Sequence, residues 1–152
     1  MRGLSTAHIS KLSDAAVGGL TAAQIADLSM VQVAALTTAQ LNALGDTQMA
    51  AFVTRGVVAL TLTQLRGLSP TAAARLTATQ MAAMSTLQIA ALSAAGVSGL
   101  TADQLGGLGS TQLGSLTATQ IGALTTDLLN GLSAGVLAAL NATLVGGLRA
   151  TQ

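Results

Sequence analysis

A chain of 152 residues is long enough for one domain with a sizeable core, yet only 7% of it is charged and the sole aromatic residue is Phe52. A net charge of +1 from six scattered Lys and Arg, with no aromatics on which bases could stack, argues against nucleic acid as a partner. Zero cysteines exclude disulfides and thiolate metal centres.

Ser, Thr or Gln interrupts every apolar run well short of about 18 residues, which argues against membrane insertion. The opening "MRGLSTAHISKLSDAAV" has no uninterrupted apolar stretch of signal-peptide type.

A large apolar residue recurs every eighth position, from Leu4, Leu12 and Leu20 through to Leu148, with Phe52 and Met84 filling the two gaps between leucines. With that residue as position 8, the octad reads S/T-x-x-Q-I/L/V/M-x-A/G-L, and the length corresponds to nineteen octads in one repeat domain, 1–152. A continuous α-helix is incompatible with this period, because eight residues overshoot two turns by about 80° and would carry the leucines round every face. The chain must therefore break and restart in each octad.

In chain order, the first full octad "STAHISKL" (5–12) carries His8, the only histidine, in the Gln slot, where it substitutes for the cap. Thr21 with Gln24 and Thr37 with Gln40 form the S/T-x-x-Q capping box, and the position-8 and position-5 aliphatics form the hydrophobic staple around it. Leu20, Ile25, Leu28, Val33 and Leu36 are the core residues of this part. Met30, at position 2, falls outside the core frame. The octad "VTRGVVAL" (53–60) departs from the pattern, with Gly56 for Gln and Arg55 as a possible binding residue. Pro70 falls at the first helical position, where its missing N–H costs nothing.

The boxes resume with Thr77 and Gln80, Thr101 and Gln104, and Thr117 and Gln120, over a core of Leu100, Leu105, Leu108, Leu116, Ile121 and Leu124. "GGLGSTQLG" (106–114) is glycine-rich but has no P-loop lysine. Asp14, Asp46, Asp103 and Asp127 lie in first turns, and Arg2, Lys11, Arg66 and Arg75 in last turns, as the helix dipole favours. Glycines at positions 6 and 7 are expected to form left-handed C-caps. Positions 2, 3 and 6, the variable ones, are expected to be exposed.

Each octad thus predicts a capped helix of one to two turns, too short to stand alone. The predicted fold is all-α, a solenoid of one short helix per octad, with small residues at position 7 allowing close approach. A β-solenoid is the alternative, disfavoured by abundant Ala and Gln and scarce aromatics. The closing "RATQ" and opening "MRGL" complete one octad, and no terminal octad looks like a polar cap. That predicts head-to-tail association with further copies through Met1, Leu4, Leu148 and Gln152. No catalytic, cofactor or metal set stands out, so an enzyme is not expected.

Phrases such as "ALTTAQL" (35–41), "GLTAAQIADL" (19–28) and "SLTATQIGAL" (115–124) resemble the octapeptide arrays of very large bacterial repetitive proteins, described as adhesin-like or as haem-utilisation proteins. The resemblance implies a cell-surface or extracellular spacer or adhesin region and assigns no site residues. One His and no Cys-x-x-Cys-His give the haem label no support. The alternative function is a binding module presenting a regular Thr/Ser face to ice, a glycan or a protein.

Overall fold

The computed structural model describes residues 4–52 and 54–139. Among them the chain forms seventeen α-helices and no strand, one helix per octad. The first nine are α1 (Thr6–Lys11), α2 (Asp14–Gly18), α3 (Ala22–Ala26), α4 (Met30–Ala34), α5 (Thr38–Ala43), α6 (Asp46–Ala50), α7 (Thr54–Val58), α8 (Leu62–Arg66) and α9 (Pro70–Ala74). There follow α10 (Ala78–Ala83), α11 (Thr86–Ala91), α12 (Ala94–Ser98), α13 (Ala102–Gly106), α14 (Ser110–Leu113), α15 (Ala118–Ile121), α16 (Thr126–Asn130) and α17 (Ala134–Ala139).

Most of the helices start where a Ser or Thr hydroxyl competes for the backbone. Thr37, for example, has extended geometry (φ −75°, ψ 160°), and its Oγ1 accepts from Gln40 N at 3.1 Å. Helices end without any left-handed residue: no described residue, glycine included, has a positive φ. This corrects the expectation of left-handed glycine C-caps. Most helices instead end on a right-handed position-7 residue, as at Gly19 (φ −84°, ψ −5°) and Gly99 (φ −89°, ψ −8°). Others end on the position-8 residue in extended geometry, as at Leu12 (φ −61°, ψ 141°) and Leu44 (φ −67°, ψ 136°). The residue after position 8 is already the following N-cap.

The helices stack as a solenoid in which each lies against the helix three octads further on, as α2 does on α5, α8 on α11, α9 on α12 and α10 on α13. α5 also meets α9, four octads on. One coil therefore takes between three and four octads. Position-5 and position-8 side chains form one continuous core, running from Ile9 through Leu41, Leu65 and Ile89 to Leu132. Near its end Leu128 and Val136, both at position 4, join it, and Leu137, at position 5, is about half exposed.

Leu28, Leu36, Leu100, Leu108, Leu116 and Leu124 are buried in it at position 8, and Ile25, Val33, Leu105 and Ile121 at position 5. Leu20 is only half-buried, like Leu4 and Leu12, because a coil covers these first-coil residues on one side only. Two small residues, Ala72 and Ala73, complete the core in octad 69–76.

The exposure pattern follows expectation at most octads, with position 3 in solvent, as at Thr79, and positions 2 and 6 in solvent at Met30, Leu62 and Arg66. The exceptions include position 2 at Thr38, Ala78 and Ala102 and position 6 at Asn42, which are partly covered. There the coil three octads on lies across position 2, which the sequence period alone does not reveal.

Candidate functional site

The repeated glutamine is the polar centre of the structure. Its side chain carries one acceptor oxygen and two N–H donors, and the fold uses both ends. At Gln40 the Oε1 accepts from Thr37 N at 2.8 Å, closing the capping box, while Nε2 donates to the carbonyls of Ile9 at 2.9 Å and Leu12 at 2.7 Å. Those carbonyls lie in the helix-ending residues of the octad four earlier. The position-8 carbonyl there is one of the orphan acceptors that every helix terminus leaves, and glutamine supplies its donor.

The bridge recurs with one geometry. Gln48 reaches Val17, Gly18 and Leu20; Gln64 reaches Val33 and Leu36; Gln80 reaches Met49 and Phe52. Gln88, Gln104, Gln112 and Gln120 continue it to Val57 and Leu60, Ala73 and Leu76, Met81 and Met84, and Ile89 and Leu92. Gln32 reaches back to the Leu4 carbonyl at 2.7 Å. These bridging glutamines are buried, apart from the partly covered Gln112. No buried side-chain polar atom lacks a partner among the described residues. A ladder of satisfied amides thus ties each coil to the one before it, and a satisfied buried network rigidifies where a half-satisfied one would destabilise.

The capping hydroxyls of Thr21, Thr77, Thr101 and Thr117 accept from Gln24, Gln80, Gln104 and Gln120 in the same way. Glycine replaces the hydroxyl at positions 45 and 109, and there Gln48 and Gln112 still accept the cap N–H. His8 stands in for glutamine in full at the cap, with Nδ1 accepting from Ser5 N at 3.4 Å and its own N–H donating to Ser5 Oγ at 3.2 Å. Gln24 closes its box on Thr21 at 2.8 Å but remains exposed, with no carbonyl of an earlier coil beneath it among the described residues. Of the residues predicted to join end to end, Leu4 accepts from Gln32, whereas Met1, Leu148 and Gln152 lie outside the described residues.

Arg55 is exposed and lines an open groove of about 600 Å³ with Ser5, Ser29, Met30 and Val31. The groove coincides with the octad in which Gly56 replaces the bridging glutamine. "GGLGSTQLG" is divided between the end of α13 and α14, and Met30 is about half exposed. No group of three or more His, Cys, Asp or Glu is placed to hold a metal among the described residues. No helix among them is long and apolar enough to cross a membrane.

The chain is an α-helical octapeptide-repeat protein whose coils are bridged by glutamine. The family model of the ALTTAQ repeat matches residues 1–30, and the phrase "ALTTAQ" itself stands at 35–40 in the same frame. Comparison with curated proteins and with solved structures gave no match.

Proposed function

We propose that the chain is a structural spacer, an extended neutral α-solenoid within a bacterial surface or secreted protein. The observation that carries this reading is the glutamine ladder from Gln32 to Gln120, which joins coil to coil by the same buried bonds along the stack. Adding octads lengthens such a stack without altering a contact already made, the property a stalk requires. The surface placement rests on the resemblance to bacterial repeat arrays.

The role needs neither cofactor nor catalysis. It includes self-association in the same stacking mode, a coil of a second copy lying on an end coil as neighbouring coils lie on one another along the chain.

Solution scattering combined with negative-stain electron microscopy over a concentration series tests both parts. Elongated particles are expected, and compact globular dimensions would overturn the spacer. Filaments that lengthen with concentration support end-to-end assembly, whereas short uniform rods at every concentration refute it.

A further inference from the structure

The glutamine ladder has a weakness as a folding instruction. Every octad offers the same position-5 and position-8 carbonyls, so a glutamine displaced by one octad finds an equivalent pair. The ladder stabilises stacking without selecting which octad stacks on which. Degenerate registers of this kind need some non-repeating polar contact to choose among them.

Octad 69–76 contains one. Ala72 occupies its glutamine position, and both halves of the missing clamp are made by other side chains. Asn42 Oδ1 accepts from Ser69 N at 2.9 Å, the bond that Gln Oε1 makes elsewhere, while Asn42 Nδ2 donates to the Gly67 carbonyl at 3.0 Å. Arg75 Nη1 donates at 2.7 Å to the carbonyl of Leu44, the position-8 acceptor a glutamine would have taken, and Arg75 Nε bonds Asp46 Oδ1 at 2.7 Å.

Arg75 is also the one residue at position 7 between Ala35 and Ala139 that is not Ala, Gly or Ser. Position 7 lies over position 2 of the octad three earlier, as Gly67 lies over Thr38, Gly99 over Pro70 and Gly107 over Ala78. Under this large position-7 side chain stands Asp46. A slip of one octad would set Ser69 N against Ala34 or Ala50 at position 6, and Arg75 over Thr38 or Thr54. Neither alanine has an acceptor side chain and neither threonine has a carboxylate.

We propose that Asn42, Asp46 and Arg75 are the register key of the solenoid, the set that fixes which octads stack and hence the size of the coil. The exposed Arg75–Asp46 pair adds little by charge alone, since Asp46 is 86% exposed. Selection comes mainly from the Ser69 N–H, which meets an acceptor side chain at Asn42 and an alanine in the register on either side, whereas the Leu44 carbonyl has an equivalent in every octad.

Inserting a copy of octad 117–124 tests this at two places. Insertion after Leu108 leaves the key intact, and insertion after Phe52 separates its halves. The Phe52 insertion is expected to lower Tm by about 5 °C or more relative to the Leu108 insertion, as the loss of two such bonds would in a chain of this size.

The same two insertions are then made in the background Asn42→Ala, Ala72→Gln, Arg75→Ala, which removes the key and restores an ordinary clamp. There the difference is expected to vanish. Equal Tm values in the natural background, or a difference that persists in the second, would overturn the key. So would a Phe52 insertion that fails to fold in both backgrounds, because the failure would then be independent of these residues.

Discussion

A Cβ built on Gly99 overlaps the carbonyl oxygen of Pro70, one coil away. Gly99 is the C-cap of α12 with an ordinary right-handed backbone (φ −89°, ψ −8°), so glycine is required there for room and not for conformation. The obstacle is backbone of α9, which cannot swing aside as a side chain would. Overpacking of this sort typically costs about 1–3 kcal/mol, and Gly99→Ala should lose that much in a urea titration. Gly106, at the end of α13, has nothing within 4 Å of its would-be Cβ. Gly106→Ala should therefore gain about 0.5–1 kcal/mol by restricting the unfolded chain. A neutral Gly99→Ala would mean that the coils are further apart than described.

Gln40 and Gln24 close identical capping boxes, but only Gln40 also bridges two coils. Glutamate serves a capping box as well as glutamine does, but it has no N–H to give a carbonyl. Gln24→Glu should thus stay within about 0.5 kcal/mol of the parent, as exposed substitutions usually do. Gln40→Glu should cost at least about 3 kcal/mol, because it buries a carboxylate against the Ile9 and Leu12 carbonyls. Equal effects at the two sites, read from chemical denaturation at neutral pH, would reduce the ladder to a set of helix caps.

That distinction marks how far the sequence was legible. The hydroxyl and the glutamine of one box are three residues apart, so the N-terminal half of each octad follows from local chemistry. The other half of the glutamine's work lies 28 and 31 residues away on backbone carbonyls, which leave no residue signature at the acceptor.

One signal was nevertheless present. All five acidic residues are Asp, and position 4 carries eleven Gln and no Glu, although a cap accepts either. An amide donor was needed, and that requirement points to an acceptor elsewhere. The glycine error has a similar root: a glycine kept for close approach and one kept for positive φ read alike in a sequence. Coil size was hidden because the octads are so nearly equivalent, and only exceptions such as Arg75 with Asp46 carry the spacing.

Coil size is also open to a direct covalent test. A Cβ on Gly67 would stand 3.2 Å from Thr38 Cβ, a few tenths of an ångström closer than the usual disulfide separation of about 3.5–4.5 Å. The chain has no cysteine of its own, so an introduced pair has no competitor. Thr38→Cys with Gly67→Cys should oxidise readily in air and, by closing a loop of about 28 residues, stabilise the fold by about 3 kcal/mol.

The pairs Thr38→Cys with Ala59→Cys and Thr38→Cys with Arg75→Cys place the second thiol one octad short and one octad beyond. Both thiols should stay free under the same conditions, because position 7 lies over position 2 of the octad three earlier, so that Gly67 faces Thr38 while Arg75, although its octad also touches α5, faces Asp46. Cross-linking of the Ala59 pair would require a tighter coil and that of the Arg75 pair a wider one. Either would also displace the glutamine bridges from the carbonyls they now meet, so the redox assay tests the stacking on which every inter-coil bond depends.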